Sequence, residues 1–258
     1  MADEQPPHIT AIYRYPVKGM TPEGMAEVTL IPGETLPYDR AWAIENGGGR
    51  FDPNAPRHLP KINFVMLMRD ERLASLEARF DETDRTLTIF RAGKQVARGA
   101  LETKLGRQML EQFIAAYMKS ELRGAPKIVS APGHSFSDVS ARCVHIVNLA
   151  SVRDLERVIG RTVDPRRFRP NVVIDGVPAW EEFKWVGRKV TAGEASLDVF
   201  TRTQRCDATN VDPVTAARDM AIPAMLMRHF GHSDFGVYAK VREGGRIATG
   251  APVRVAAS

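Results

Sequence analysis

The chain contains few cysteines, and this scarcity limits the classes of protein to which it can belong. Only Cys143 and Cys206 occur among 258 residues, too few for a disulfide framework or for the four thiolates of an iron–sulfur cluster. Free thiols are typical of a reducing compartment. The N-terminal stretch MADEQPPHIT has no apolar core, so we predict no secretion signal and a cytoplasmic protein.

Long apolar runs and concentrated charge are also absent. The densest apolar run covers only residues 64–68, too short to cross a bilayer, so we expect no membrane partner. The net charge of +5 is compatible with an anionic ligand. Zinc-finger spacing, an aromatic RNA-binding motif and a basic tail are all missing, which argues against nucleic acid. One basic cluster at residues 161–169 favours a local anion site instead.

Short β segments dominate the first hundred residues and predict one lobe. A helix is predicted over residues 104–119 from the spacing of its apolar residues, and we place the lobe boundary between residues 120 and 121. The predicted lobes are therefore residues 1–120 and 121–258. The patterns indicate strands at residues 9–15, 26–31, 38–44, 63–68, 73–80 and 86–90.

The second lobe mixes strands with two further helices. Helices are predicted at residues 150–159 and 222–229, followed by Gly160 and Gly231 in the position of C-terminal caps. Strands are predicted at residues 143–149, 172–174, 186–191, 195–202, 235–241 and 246–255. The chain as a whole is expected to be an α+β protein rich in β structure, with a barrel-like or sandwich-like first lobe.

Cys206 is the residue that most suggests chemistry. It follows a predicted strand and precedes the breaker Val211-Asp212-Pro213, so the thiol is held by an ordered strand end yet reachable from a loop. The neighbouring Arg205 favours thiolate over thiol. The alternative is a buried, inert cysteine, which is how we interpret Cys143 in its apolar run.

Basic and amide side chains elsewhere suit an organic phosphate. Lys18 lies beside Gly19 after a strand, where an ammonium and backbone N–H groups can face an anion, although this local pattern alone favours an ordinary turn with a solvated lysine. Arg169 offers a planar fork for phosphate, and Asn171 can both donate to and accept from a heterocycle. A thiolate also suits a soft or redox-active metal. Together these groups predict one ligand, a metal carried on an organic frame that bears a phosphate.

Five patches in one order make the chain resemble a known family, the molybdenum cofactor sulfurase C-terminal (MOSC) domain proteins with an N-terminal β-barrel extension. Within that family it resembles the mitochondrial amidoxime-reducing component and its bacterial relatives. The resemblance implies a β-barrel-like N-terminal lobe packed on a MOSC β-barrel with peripheral helices. Four of the patches are residues 15–18, 39–42, 136–138 and 168–174. The fifth patch consists of Arg205-Cys206, Thr209, residues 211–213 and Thr215.

The resemblance further implies a molybdenum cofactor, Mo-molybdopterin, in the cleft between the lobes. Cys206 would be the protein ligand of the metal, and Asp212 a polar or proton-handling neighbour. Gly19 stands where the reductases usually carry serine, so a phosphate hydroxyl is missing or replaced by backbone N–H. The positions implied to bind the pterin and its phosphate are Lys18, Gly19, Arg40, Ser137, Arg169, Asn171, Gln204 and Arg205.

The implied activity is the reduction of N-hydroxylated compounds, such as amidoximes and hydroxylamines, by two electrons. The two-cysteine count leaves no iron–sulfur module in the chain, so electrons are expected from a separate flavoprotein or iron–sulfur protein. One alternative is a sulfur carrier with a persulfide on Cys206 and no metal. Another is a non-catalytic binder of the cofactor or of nucleic acid. The substrate and the oligomeric state stay open.

Overall fold

A computed structural model describes residues 6–256. Three α-helices occur within these residues: α1 (Lys104–Tyr117), α2 (Leu149–Ile159) and α3 (Ile222–Phe230). The strands are β1 (His8–Arg14), β2 (Glu23–Met25), β3 (Glu27–Leu30), β4 (Ala43–Asn46), β5 (Glu77–Asp81), β6 (Thr86–Arg91), β7 (Lys94–Ala100), β8 (Pro126–Val129), β9 (Val144–Asn148), β10 (Val172–Asp175), β11 (Lys189–Ala192), β12 (Ala195–Gln204), β13 (Asp234–Glu243), β14 (Gly245–Ala248) and β15 (Val253–Val255). The predicted α+β, β-rich class is confirmed.

An eight-stranded sheet forms the larger lobe. Its strand order is β15-β11-β12-β13-β9-β10-β1-β2, and only β9 and β10 run parallel, joined by the crossover that contains α2. Apolar residues of the central strands, among them Val144, Leu197 and Val237, are fully buried. Burial of this one face by alternating side chains fixes the register of the strands.

A smaller lobe contains the three-stranded sheet β5-β6-β7, the pair β4-β8 and helix α1. Thr103 begins α1 by accepting a hydrogen bond from the backbone N–H of Gly106. Leu110 and Ile114 of α1 are buried against a core that includes Trp42, Val65 and Leu73. The helix therefore forms one wall of this lobe through its apolar face.

Strands β1 and β3, although early in the chain, belong structurally to the larger lobe. Strand β1 pairs with β10, and β3 pairs with β14 near the C-terminus. The chain then leaves β1 and crosses toward the smaller lobe, where Val17 pairs with Trp42 and the Lys18 N–H bonds the Trp42 carbonyl. The end of β1 consequently lies where the two lobes meet.

Several predicted strands of the first lobe are wrong. Tyr38 and Arg40 have positive φ angles, which interrupts the strand predicted at 38–44 and leaves only Ala43–Asn46. Residues 66–70 fold into a turn because the Asp70 carboxylate accepts from the Met66 N–H, so the strand predicted at 63–68 does not form. Strand β7, with the polar sequence KQVARGA, was not predicted.

The predictions for the second lobe agree better with the structure. All three helices are confirmed, and Gly160 and Gly231 adopt the left-handed cap conformation. Strands β9, β10, β12 and β13 form near their predicted positions. The two C-terminal segments pair with β3 and β11 rather than with β13.

Candidate functional site

A cavity of about 370 Å³ lies between the two lobes. It collects nine of the ten residues singled out from the sequence, which come from positions 18 to 206 of the chain. These nine are Lys18, Gly19, Arg40, Ser137, Arg169, Asn171, Gln204, Arg205 and Cys206. Five separate segments therefore meet at one place.

The cavity lining is strongly cationic. Six basic side chains line it, and Asp138 is its one carboxylate. Lys18 donates to the Phe136 carbonyl at 2.8 Å and forms a short ion pair with Asp138. The basic residues are Lys18, Arg40, Lys61, Arg169, Arg202 and Arg205. Such an excess of positive charge on low-dielectric walls attracts an anionic ligand.

Two arginines stack on one buried tyrosine at the floor of the basic region. The guanidinium carbon of Arg169 lies 4.2 Å from the centre of the Tyr15 ring, and that of Arg40 lies 4.7 Å from it. Arg40 also donates to the Arg169 carbonyl at 3.2 Å. Both arginines have left-handed backbone conformations, with φ near 51° and 53°. Such conformations are uncommon for non-glycine residues and cluster at functional sites.

The concentration of charge perturbs several acid–base groups. Burial, together with the nearby Arg40, lowers the pKa of Arg169 to about 10. Burial also lowers the pKa of Lys18, although Asp138 opposes the change. For Arg40 burial acts in the same direction and is the largest single influence, but the Asp39 carboxylate and the nearby Tyr15 and Tyr238 together raise the pKa. A bound anion would relieve the unfavourable charge of Arg169 and Lys18.

Two buried guanidinium groups have unused donors at this cavity. Arg169 donates through Nη1 to the Met20 carbonyl at 2.8 Å, but its Nη2 bonds no atom of the described residues. Arg205 donates through Nη2 to the Phe168 carbonyl at 2.9 Å, and its buried Nε is likewise without a partner in that part of the chain. Buried donors are normally satisfied, so these two fit a phosphate-bearing ligand.

Cys206 lies just beyond the end of β12, as predicted. Its backbone begins the 3-10 turn Asp207–Asn210, and its carbonyl accepts from both the backbone N–H and the hydroxyl of Thr209. Thr209 is fully buried, whereas Cys206 is half-buried and lines the cavity. The backbone at Cys206 is thus fixed while the thiol faces the cavity space.

Asn171 and Asp212 make contacts with the protein that the sequence did not predict. Asn171 lines the cavity, but its side chain accepts from the His145 N–H and donates to the Tyr13 carbonyl, so it joins strands of the sheet. Asp212 does not line the cavity. Its carboxylate is paired with the buried Arg167 and accepts from two N–H groups of its own turn. These contacts indicate a role in shaping the loop after Cys206.

Several cavity residues were missed from the sequence. Cys143 was interpreted as a core residue, and it is buried, but it also lines the cavity together with His145. The two are separated by one residue in the chain, and the alternation of strand side chains could have placed them on one face. Burial raises the pKa of Cys143 to about 12 and lowers that of His145 well below its ordinary value. Both are therefore neutral near pH 7.

Gly19 is required by the backbone at the cavity entrance. Its φ is +85°, and a Cβ atom there would lie 3.2 Å from the Val65 carbonyl oxygen and from a Leu73 methyl. A serine would therefore be strained at this position. In this chain residue 19 can offer a ligand only its backbone.

The described residues offer few protein ligands for a metal. No group of three or more His, Cys, Asp or Glu side chains among residues 6–256 is arranged to hold one. A metal at Cys206 would consequently need most of its ligands from another molecule. Within the same residues, none of the helices has the length and apolar character needed to span a membrane.

Comparison with known proteins gives two family matches. Residues 131–254 match the MOSC domain, and residues 7–122 match the MOSC N-terminal beta barrel domain. The human mitochondrial amidoxime-reducing component 1 is 24% identical, with 95% of this chain and 82% of that protein covered. The rat mitochondrial amidoxime reducing component 2 is 29% identical over 43% of this chain and 36% of its own length.

A third relative is named for a different activity. The human molybdenum cofactor sulfurase is 22% identical, with 84% of this chain and 28% of that protein covered. This chain thus spans well under half the length of some curated relatives that it matches. Among solved structures, the YUAD protein from Bacillus subtilis is 10% identical with a TM-score of 0.44, covering 97% of this chain and 96% of that one.

Proposed function

The chain belongs to the MOSC domain proteins that carry the N-terminal MOSC β-barrel domain, and from this premise we propose that it is a molybdenum-cofactor-dependent oxidoreductase. The proposed reaction reduces an N-hydroxylated compound, such as an amidoxime or a hydroxylamine, to the corresponding amidine or amine and water. Two electrons come from a separate flavoprotein or iron–sulfur protein, and two protons from solvent. Its similarity to the amidoxime-reducing components supports this substrate class.

The observation that carries the proposal is the pairing of one accessible thiol with unused cationic donors in one cavity. Cys206 lines the same cavity as Arg169 and Arg205, and each of these arginines has one buried nitrogen, Nη2 and Nε respectively, without a partner within the described chain. A thiolate is a suitable ligand for a redox-active metal. A guanidinium fork suits a phosphate. A cofactor that carries both a metal and a phosphate matches this combination.

Each side chain has a defined task in this proposal. Cys206 would hold the metal, and the stacked pair of Arg40 and Arg169, with Lys18 and Arg205, would bind the phosphate-bearing part. When bound, the cofactor supplies the two-electron redox couple. Thr209 keeps the Cys206 backbone in place through two hydrogen bonds. Neutral His145 adds no charge to a wall that already holds six cations.

A sulfur carrier is the second candidate, and the similarity to the molybdenum cofactor sulfurase favours it. Cys206 would then bear a persulfide, and the cavity would hold no metal. The same half-buried thiol serves this function equally well. The unused donors of Arg169 and Arg205 argue against it, because a persulfide alone would leave them unpaired.

The test compares two cysteine variants after expression with molybdate. We expect wild-type protein and Cys143→Ala to retain molybdenum near one atom per chain and to reduce benzamidoxime with an artificial electron donor. Cys206→Ala should lose both properties. A persulfide at Cys206 in the intact mass spectrum, without metal in any sample, would refute the reductase and support the carrier.

A further inference from the structure

Arg218 connects the loop after Cys206 to the smaller lobe. Its Nη1 donates to the Asp207 carbonyl at 2.9 Å, one residue beyond Cys206. Its Nη2 donates to the Met68 carbonyl and to the Glu71 carboxylate, each at 3.0 Å. One guanidinium group therefore spans from the cysteine loop to a segment about 140 residues earlier in the chain.

The loop that presents Arg218 is firmly built. Asp212 N–H donates to the Ala217 carbonyl, and Val211 pairs with Arg218 as an isolated bridge. The buried Arg167 forms an ion pair with Asp212 from beneath. Because the loop is held on both sides of its tip, the position of Arg218 is set by the larger lobe.

The segment that Arg218 holds forms an apolar side of the cavity. Met66, Leu67 and Met68 all line the cavity. Their side chains are apolar, whereas the six basic residues of the lining are positively charged. Arg218 Nη2 donates to the Met68 carbonyl and makes a weaker contact with the Leu67 carbonyl. Arg218 therefore links this apolar side to Asp207, the residue that follows Cys206, while the Asp70 turn fixes the shape of the segment itself.

We propose that Arg218 is a positioning residue that holds Met66–Met68 as the apolar wall of the substrate site and so favours substrates with an apolar or aromatic body. This inference rests on the proposed function. The wall would pack against the part of the substrate remote from the N–O bond. A small substrate such as hydroxylamine has no such part and would not depend on the wall.

The experiment compares Arg218→Met and Arg218→Lys with a matched control, Arg153→Met. Arg153 forms an exposed two-point ion pair with Asp175, and neither residue lines the cavity. Hydrogen exchange of the backbone amides in residues 64–72 should be about tenfold faster in Arg218→Met than in wild type. In Arg218→Lys the rate should lie between those of wild type and Arg218→Met. In the control it should equal the wild-type rate.

Kinetics of the loaded enzyme form the second readout. In Arg218→Met we expect the KM for benzamidoxime to rise about tenfold, the loss typical of a poorly filled apolar pocket, with kcat changed less than twofold. The KM for hydroxylamine should stay within twofold of wild type. An equal rise for both substrates would overturn the specificity role.

The two proposals can fail separately. Unchanged hydrogen exchange in Arg218→Met would overturn the connection between the lobes, whatever the activity. Hydrogen exchange could be faster in Arg218→Met while the wild type reduces neither substrate. That result would refute the proposed reductase but support the role of Arg218 in positioning the segment. Faster exchange with a KM change confined to benzamidoxime would support both.

Discussion

Replacement of Arg169 by methionine tests whether this residue contributes to anion binding more than to the stability of the fold. A buried arginine usually costs several kcal/mol of stability when its charge partner is removed. Arg169 differs, because it lies among other cations and its Nη2 has no partner within the described residues. We predict that Arg169→Met changes the free energy of unfolding by less than about 1 kcal/mol while it abolishes anion binding.

The magnitude follows from opposing contributions. One pKa unit corresponds to about 1.4 kcal/mol, so a pKa of about 10 for Arg169, instead of 12.5, indicates a cost of roughly 2–3 kcal/mol after allowance for solvent in the cavity. Stacking on Tyr15 returns about 1 kcal/mol. The hydrogen bond to the Met20 carbonyl returns about 1–2 kcal/mol. The two sides nearly cancel.

The lowered pKa also defines the pH range in which the charge of Arg169 destabilises the folded protein. The folded pKa lies below the unfolded one, so the unfolded chain binds the proton more tightly between the two values. The unfavourable contribution of Arg169 is therefore fully present below pH 10 and declines as the pH rises above it. Measurements at pH 7 to 8 fall in the constant range.

Thermal unfolding with and without inorganic phosphate is the assay. At ten times its dissociation constant, phosphate should stabilise the wild type by about 1.4 kcal/mol, a rise in Tm of roughly 3–6 °C for a protein of this size. Arg169→Met should lose most of this rise, and the surface variant Arg153→Met should retain it. A loss of stability above about 3 kcal/mol in Arg169→Met, with the phosphate effect intact, would refute the reasoning.

Two further substitutions and one chemical modification test the cavity. Gly19→Ser should destabilise the protein by about 1–2 kcal/mol in urea unfolding, because φ is +85° and Val65 leaves little space; an unchanged midpoint would contradict the backbone argument. Tyr15→Phe should keep the free energy of unfolding or raise it by up to about 1 kcal/mol, since the buried hydroxyl has no partner among residues 6–256; a fall in phosphate affinity would show that the hydroxyl binds the ligand. Cys143 should resist iodoacetamide at pH 8 while Cys206 reacts, because the Cys143 pKa is about 12; peptide mapping decides this.

Local patterns predicted the parts of the fold whose signals are local. Helix α2 is amphipathic and ends at Gly160 in the left-handed conformation, and both features are visible in the sequence. The same holds for β12, whose alternation placed Cys206 at a strand end. The strand predicted at residues 38–44 failed because nothing local reveals that Tyr38 and Arg40 adopt positive φ angles. Their contacts are tertiary: the Arg40 N–H donates to the Tyr15 carbonyl, and the Tyr38 ring packs on Phe80.

The candidate site was predicted largely through the family resemblance, and the structure adds what no motif contains. Cys143 illustrates the limit, since an apolar neighbourhood indicated a core residue and could not show that the core borders a cavity. Arg218 illustrates a second limit of prediction from the sequence. Its partners Met68 and Glu71 lie almost 150 residues away, and a surface arginine in a polar loop carries no sign of such a contact.

The arrangement of the two lobes explains how six basic side chains can share a cavity whose lining contains one carboxylate, Asp138. Strand β1 belongs to the sheet of the larger lobe, yet its end delivers Lys18 to the smaller one. Arg40 comes from the smaller lobe and Arg169 from the larger, and both stack on Tyr15 between them. The two arginines also bond across the lobes, because Arg40 donates to the Arg169 carbonyl and Arg169 donates to the Met20 carbonyl. Repulsion between their guanidinium groups therefore opposes the contact between the lobes. A ligand anion would reduce that repulsion, so binding and close contact between the lobes should stabilise each other.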